Sequence, residues 1–175
     1  MSIVILGRHE QPLLDTKAAI KVERPSTERL AIPTEITDIT SVEVAFARAA
    51  RNSKVGILIS NAAIMSTKAP IVSQTSADLL SGIVTNIQGN FDVATTFVKH
   101  ATAESVIIEV NSAAAHITIA PDFAAYNTAK MATARFYTSP AFEHPELAVH
   151  SVQTGAVETE MNKNAGYKEK NEGEE

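Results

Sequence analysis

Apolar residues gather along this chain into short dense runs, separated by longer stretches in which they recur every three or four positions. Ile3-Val4-Ile5-Leu6, Val55-Gly56-Ile57-Leu58-Ile59 and Val106-Ile107-Ile108, continued through Glu109 to Val110, predict buried strands. Ala148 to Val152 predicts another, and Leu30 to Ile36 a weaker one whose Pro33 lacks a donor and suits an edge. Helices are expected between them. Gln11 to Ile20 has Pro12 in its first turn and Leu13, Leu14 and Ala18 on one side. Thr37 to Ser41 offers caps for a helix that buries Val42, Val44, Ala45, Phe46 and Ala49. Ser76 to His100 repeats Leu79, Ile83, Ile87 and Phe91 near helical spacing. The Ala-rich segment from Phe123 runs toward Glu143, with a kink or stop expected near Ser139, because the interior Pro140 costs about 3 kcal/mol or more.

One pair on that last helix has a chemical use. Tyr126 and Lys130 are four residues apart and share a face, their Cβ atoms roughly 5–6 Å apart. A phenol with a reference pKa of about 10 is protonated at neutral pH, and an adjacent ammonium favours the phenolate, so the pair can shuttle a proton. Ser112, at the end of the strand before it, can hold a substrate oxygen beside that phenol. Alone, the Tyr-x-x-x-Lys spacing equally describes a solvated helix face.

The pair does not stand alone. Asn61-Ala62-Ala63 follows the VGILI run, Asn86 lies inside a helix, then come Ser112, Tyr126-Asn127-Thr128-Ala129-Lys130 and Thr154-Gly155-Ala156-Val157-Glu158-Thr159-Glu160-Met161. With these five motifs in this order, the chain resembles the classical short-chain dehydrogenase/reductase family, its fungal members in particular, from Ile3 to about Asn162. Residues 1–162 then read as a partial NAD(P)-binding domain and 163–175 as a polar charged tail. The implied fold is α/β: an incomplete Rossmann-like, doubly wound parallel sheet in a three-layer α/β/α arrangement.

The resemblance also assigns roles. Tyr126 is implied as acid/base, Lys130 as the cation that lowers its pKa and holds the nicotinamide ribose, Ser112 as the group orienting the substrate oxygen, and Asn86 as the binder of a proton-relaying water. Ser112 stands fourteen residues before Tyr126, one more than the usual family spacing; fungal members with an Ala-His loop like Ala115-His116 carry that extra residue. The cofactor is implied to meet Asn61, Ala62, Ala63, Tyr126 and Lys130, with Gly155, Val157 and Thr159 at the nicotinamide end, and Glu35 with Ile36 at the adenine. Arg8 is implied to face a 2′-phosphate, which favours NADP over NAD, since no acidic residue stands there to accept a ribose hydroxyl.

Where the chain departs from the family pattern, the reading changes. No Thr-Gly-x-x-x-Gly-x-Gly turn precedes Ile3, and the strand that carries it belongs between Ile3–Leu6 and Val55–Ile59. The lid and last strand are also lacking, Thr154-Gly155 replaces Pro-Gly, and Glu35 replaces Asp. The chain is therefore expected to be a member truncated at both ends, and the missing phosphate loop counts against cofactor binding by this chain alone. Two readings stand: an NADP-dependent oxidoreductase acting on a small carbonyl or secondary alcohol, and a catalytically inactive fragment that at most pairs with a relative. Homo-oligomers are implied to form through the helices at 76–100 and 126–143.

Composition alters this little. A chain of 175 residues is long enough to bury about 70% of its unfolded surface. A net charge of −5 leaves no electrostatic footprint for nucleic acid. No cysteine is present, the five histidines show no metal-ligand spacing, and no apolar run is long enough for a signal peptide or membrane span, so a cytoplasmic protein without a metal is expected.

Overall fold

The computed structural model describes residues 2–51, 54–118, 120–155, 157 and 159–164. Strand β1 (Ser2–Gly7) leads through α1 (Glu10–Glu23) to β2 (Glu28–Pro33), and α2 (Ile39–Ala49) leads on to β3 (Val55–Ser60). A long helical passage follows: α3 (Ser76–Ile83), a π-helical turn at Val84–Gly89, and α4 (Asn90–His100). Strand β4 (Ala101–Asn111), α5 (Ala124–Glu143), β5 (Ala148–Gln153) and a short α6 (Glu160–Asn164) complete the order.

All pairing is parallel, as the alternation of strands and helices requires. Strands β1 and β2 form one sheet, and β3, β4 and β5 form a second with β4 in the middle. This is a partial Rossmann-like fold: parallel sheets with flanking helices. Pro33 ends the edge strand β2, where its missing donor costs nothing. Among the described residues β1 and β3 each pair on one side only, and Ile57 and Ile59 of β3 stay 62% and 63% exposed.

The core lies where α2, α4 and α5 meet the strands: Ile36, Val42, Phe46, Val93, Ala94, Phe97, Ile107 and Tyr137. Helix α2 begins as its sequence predicts, with the Asp38 carboxylate accepting from the Thr40 N–H at 3.0 Å, but Val44 points to solvent. The 76–100 passage buries a different face from the one its apolar spacing predicts. Phe91 is exposed and stacks on Phe136 at 5.2 Å, while Asn86, Gly89, Asn90, Val93 and Phe97 turn inward. The π turn is the reason: its wider ring inserts a residue and rotates the stripe by about 100°.

Helix α5 does not stop at Ser139. It continues to Glu143 with Pro140 buried in its last turn, where few intrahelical bonds remain to be lost, and the Pro140 carbonyl still accepts from the His144 N–H at 2.9 Å. None of the described helices is long and apolar enough to cross a membrane. Among the described residues, no group of three or more His, Cys, Asp or Glu is placed to hold a metal ion.

Candidate active site

The C-terminal ends of β3, β4 and β5 open into one cleft of about 790 Å³. Strand β4 ends at Asn111, and its next residue, Ser112, turns into a single 3-10 turn whose Ala114 N–H donates to the Ser112 hydroxyl at 3.2 Å. Helix α5 starts close by and brings Tyr126 and Lys130, both buried, to the cleft wall. The Ser112 hydroxyl stands near enough to the Tyr126 phenol to oppose the rise in its pKa, so Ser112 rather than Ala113 occupies the position beside it. The three side chains that the sequence singles out are therefore brought together.

Their charge states differ from the expected pattern. Burial pushes the Tyr126 phenol above the ordinary tyrosine range, opposed by the nearby Ser112 hydroxyl. Lys130, expected to pull the phenol down, instead donates from Nζ to the Val110 carbonyl at 3.0 Å, and its attraction runs to Glu109. Burial lowers the Lys130 ammonium, and Glu109 raises it. In the free chain the phenol is thus protonated at neutral pH.

Asn86 does not line the cleft. It lies fully buried in the π turn, with Nδ2 donating to the Ile64 carbonyl at 2.9 Å and Oδ1 accepting from the Ile64 N–H at 2.8 Å. Its own carbonyl, freed by the π turn, accepts from Asn90 Nδ2 at 3.1 Å and from the Thr133 hydroxyl at 3.2 Å. These bonds fix the loop after Asn61-Ala62-Ala63, which does line the cleft together with Gly155, Val157 and Thr159. Gly155 has φ +74°, a conformation that favours glycine.

Three predicted cofactor contacts lie elsewhere, at the ends of β1 and β2. Arg8 is exposed after β1 and makes no ion pair among the described residues. Ile36 is buried against Gly89. The Glu35 carboxylate is taken up locally, accepting from the Thr37 N–H at 3.1 Å and hydroxyl at 2.9 Å.

A model of the short chain dehydrogenase family matches residues 1–170. The chain belongs to the short chain dehydrogenase family. A short-chain dehydrogenase/reductase from Serratia marcescens superposes with a TM-score of 0.82 at 22% identity, over 92% of this chain and 66% of that one. Levodione reductase gives 0.88 at 20% identity, over 94% and 65%. An alcohol dehydrogenase from the archaeon Thermococcus sibiricus, complexed with 5-hydroxy-NADP, gives 0.82 at 17% identity, over 90% and 67%. The chain thus spans about two thirds of the length of the structures it matches. No curated protein sequence matches it.

The cleft leaves room for a ligand to approach the backbone. Ala62, Ala63 and Gly155 leave room for close approach, and a Cβ built on Gly155 meets nothing within 4 Å. Lys130 has three N–H donors and spends one on Val110. Sequence reasoning missed the layer below the cleft. Tyr137 donates to Ser60 Oγ at 2.8 Å, Ser60 donates to Asn90 Oδ1 at 2.6 Å, and Asn90 Nδ2 reaches the Ala62 carbonyl at 3.1 Å. The available signal was Asn90 itself, a second buried amide one turn after Asn86.

Proposed function

We propose that the chain works as an NADP-linked oxidoreductase on a small carbonyl compound or secondary alcohol. The observation that carries this reading is the convergence of Ser112, Tyr126 and Lys130 on one cleft, with the serine hydroxyl beside the tyrosine phenol. A bound nicotinamide would supply or accept the hydride. In the reductive direction Ser112 orients the carbonyl oxygen, and Tyr126 delivers its proton to that oxygen as negative charge develops there. The protonated phenol of the free chain is the form this step needs. Lys130 then stabilises the phenolate and holds ribose hydroxyls, while Asn86, its amide spent on Ile64, fixes the loop that follows Asn61 to Ala63. Arg8, with no ion pair of its own among the described residues, is the residue for a 2′-phosphate. A cytoplasmic location and pairing of copies through α3–α4 and α5 belong to the same reading.

The test is calorimetric binding of NADPH to the purified chain, compared with NADH and with Arg8→Ala. Micromolar binding that prefers NADPH and weakens about tenfold or more in Arg8→Ala supports the assignment. A folded chain that binds neither nucleotide sinks it. Given binding, Tyr126→Phe is expected to slow ketone-dependent NADPH oxidation by about 10²–10⁴-fold.

A further inference from the structure

We propose that Glu109 is a positioning residue that ties the serine and lysine segments together beneath the cleft and supplies the counter-charge of Lys130. The inference rests on the reading of Ser112, Tyr126 and Lys130 as the catalytic set. Glu109 is 1% exposed on β4, the middle strand of its sheet, in a row with Ser60 on β3 and Ser151 on β5. A carboxyl is an expensive choice for such a position unless it is paired. Its Oε1 accepts from Asn111 Nδ2 at 2.6 Å, and the same Nδ2 donates to the Lys130 carbonyl at 3.3 Å. An acceptor-only carboxylate on that side forces the amide group of Asn111 to present its NH2 there and its oxygen to the other. Asn111 Oδ1 accordingly accepts from the Ser112 N–H at 2.8 Å. Glu109 thus shares with the Lys130 carbonyl and the Ser112 N–H in orienting the amide that grips both segments.

The charges follow the same arrangement. Lys130 has no carboxylate within salt-bridge distance among the described residues, and the opposite charge that acts on it is Glu109. Burial raises the Glu109 carboxyl and lowers the Lys130 ammonium, and each opposes that loss of charge in the other. The groups facing Glu109 are Lys130 and Tyr137 from α5, His116 from the turn after β4, and the Ser151 hydroxyl from β5. Ser151 favours the charged form, yet Oε2 remains without a completed hydrogen bond.

The test needs neither cofactor nor turnover, so a failure of NADPH binding overturns the functional reading and leaves this one measurable. The Lys130 Cε signal of the full, 13C-lysine-labelled chain is followed against pH by NMR, with triple-resonance assignment, in wild type, Glu109→Gln and Glu109→Asp. Glu109→Gln is expected to lower the proton affinity of Lys130 about tenfold, and to speed exchange of the Asn111 side-chain NH2 about tenfold; Glu109→Asp is expected to restore most of the first effect. A folded Glu109→Gln chain with an unchanged Lys130 midpoint overturns the proposal. Should that variant not fold, the wild type decides: the Lys130 signal must carry a second step where the Glu109 carboxyl titrates, and its absence is equally fatal.

Discussion

Asn86 and Ile64 hold each other by both ends, the asparagine amide donating to the Ile64 carbonyl at 2.9 Å and accepting from its N–H at 2.8 Å. One side chain thereby closes the hydrogen bonding of a loop residue 22 positions away. With Asn86 only 1% exposed, Asn86→Ala is expected to cost about 2–4 kcal/mol, since two partly buried backbone groups lose their partner. Urea unfolding measures it; a loss below about 0.5 kcal/mol, the level of an ordinary surface change, contradicts the clamp.

The neighbouring layer predicts a ranking. Asn90 serves Ser60, the Ala62 carbonyl and the Asn86 carbonyl at once, whereas the Tyr137 hydroxyl only donates to Ser60 and, at 3.5 Å, weakly to Asn90. Asn90→Ala therefore takes the acceptor of the buried Ser60 hydroxyl and the donor of the Ala62 carbonyl, and is expected to cost about 2–4 kcal/mol. Tyr137→Phe removes a donor while Ser60 keeps Asn90, and is expected to cost about 1 kcal/mol. Equal losses in parallel denaturation curves count against the layer as drawn.

Much of this molecule was legible beforehand, and the reasons differ by element. Ile3–Leu6, Val55–Ile59 and Val106–Val110 announce their strands because branched apolar runs that short have few other uses. Ser112, Tyr126 and Lys130 were legible because strand end and helix face follow directly from spacing. The π turn was not: a change of hydrogen-bond ring from four to five residues leaves no mark in composition, yet it turns Asn86, Gly89 and Asn90 inward and Phe91 outward. Pro140 misled because its cost depends on how far the helix has still to run. Glu109 read as a plain strand residue, since its partners Asn111, Lys130 and Ser151 come together only in the fold.

Gly89 and Ile36 form a second pair with a measurable coupling. A Cβ at Gly89 meets Ile36 Cδ1 at 2.7 Å and Cγ1 at 2.8 Å, distances that force the isoleucine to move. Gly89→Ala is expected to cost about 1–3 kcal/mol through overpacking. Ile36→Ala alone leaves a cavity, but in the Gly89→Ala chain it also removes the clash, so the double variant must lose less than the two single losses combined. Strict additivity excludes the close approach.

Ionisation of the phenols sets the behaviour at high pH. Burial pushes both Tyr126 and Tyr137 above the ordinary range, Tyr137 with a further push from the Glu109 charge. A group whose folded pKa exceeds its unfolded value holds its proton more tightly in the native state, so its stabilising contribution is full below the unfolded value of about 10 and is lost as pH rises through the folded one. Stability is therefore expected to fall as pH climbs above about 10, and less steeply in Tyr126→Phe and Tyr137→Phe. Tyrosinate absorbance and circular dichroism, recorded on the same samples, decide the matter. Ionisation of these two phenols is expected only at or beyond the loss of native ellipticity. If both ionise in the ordinary tyrosine range while the dichroism stays native, they are not buried as described.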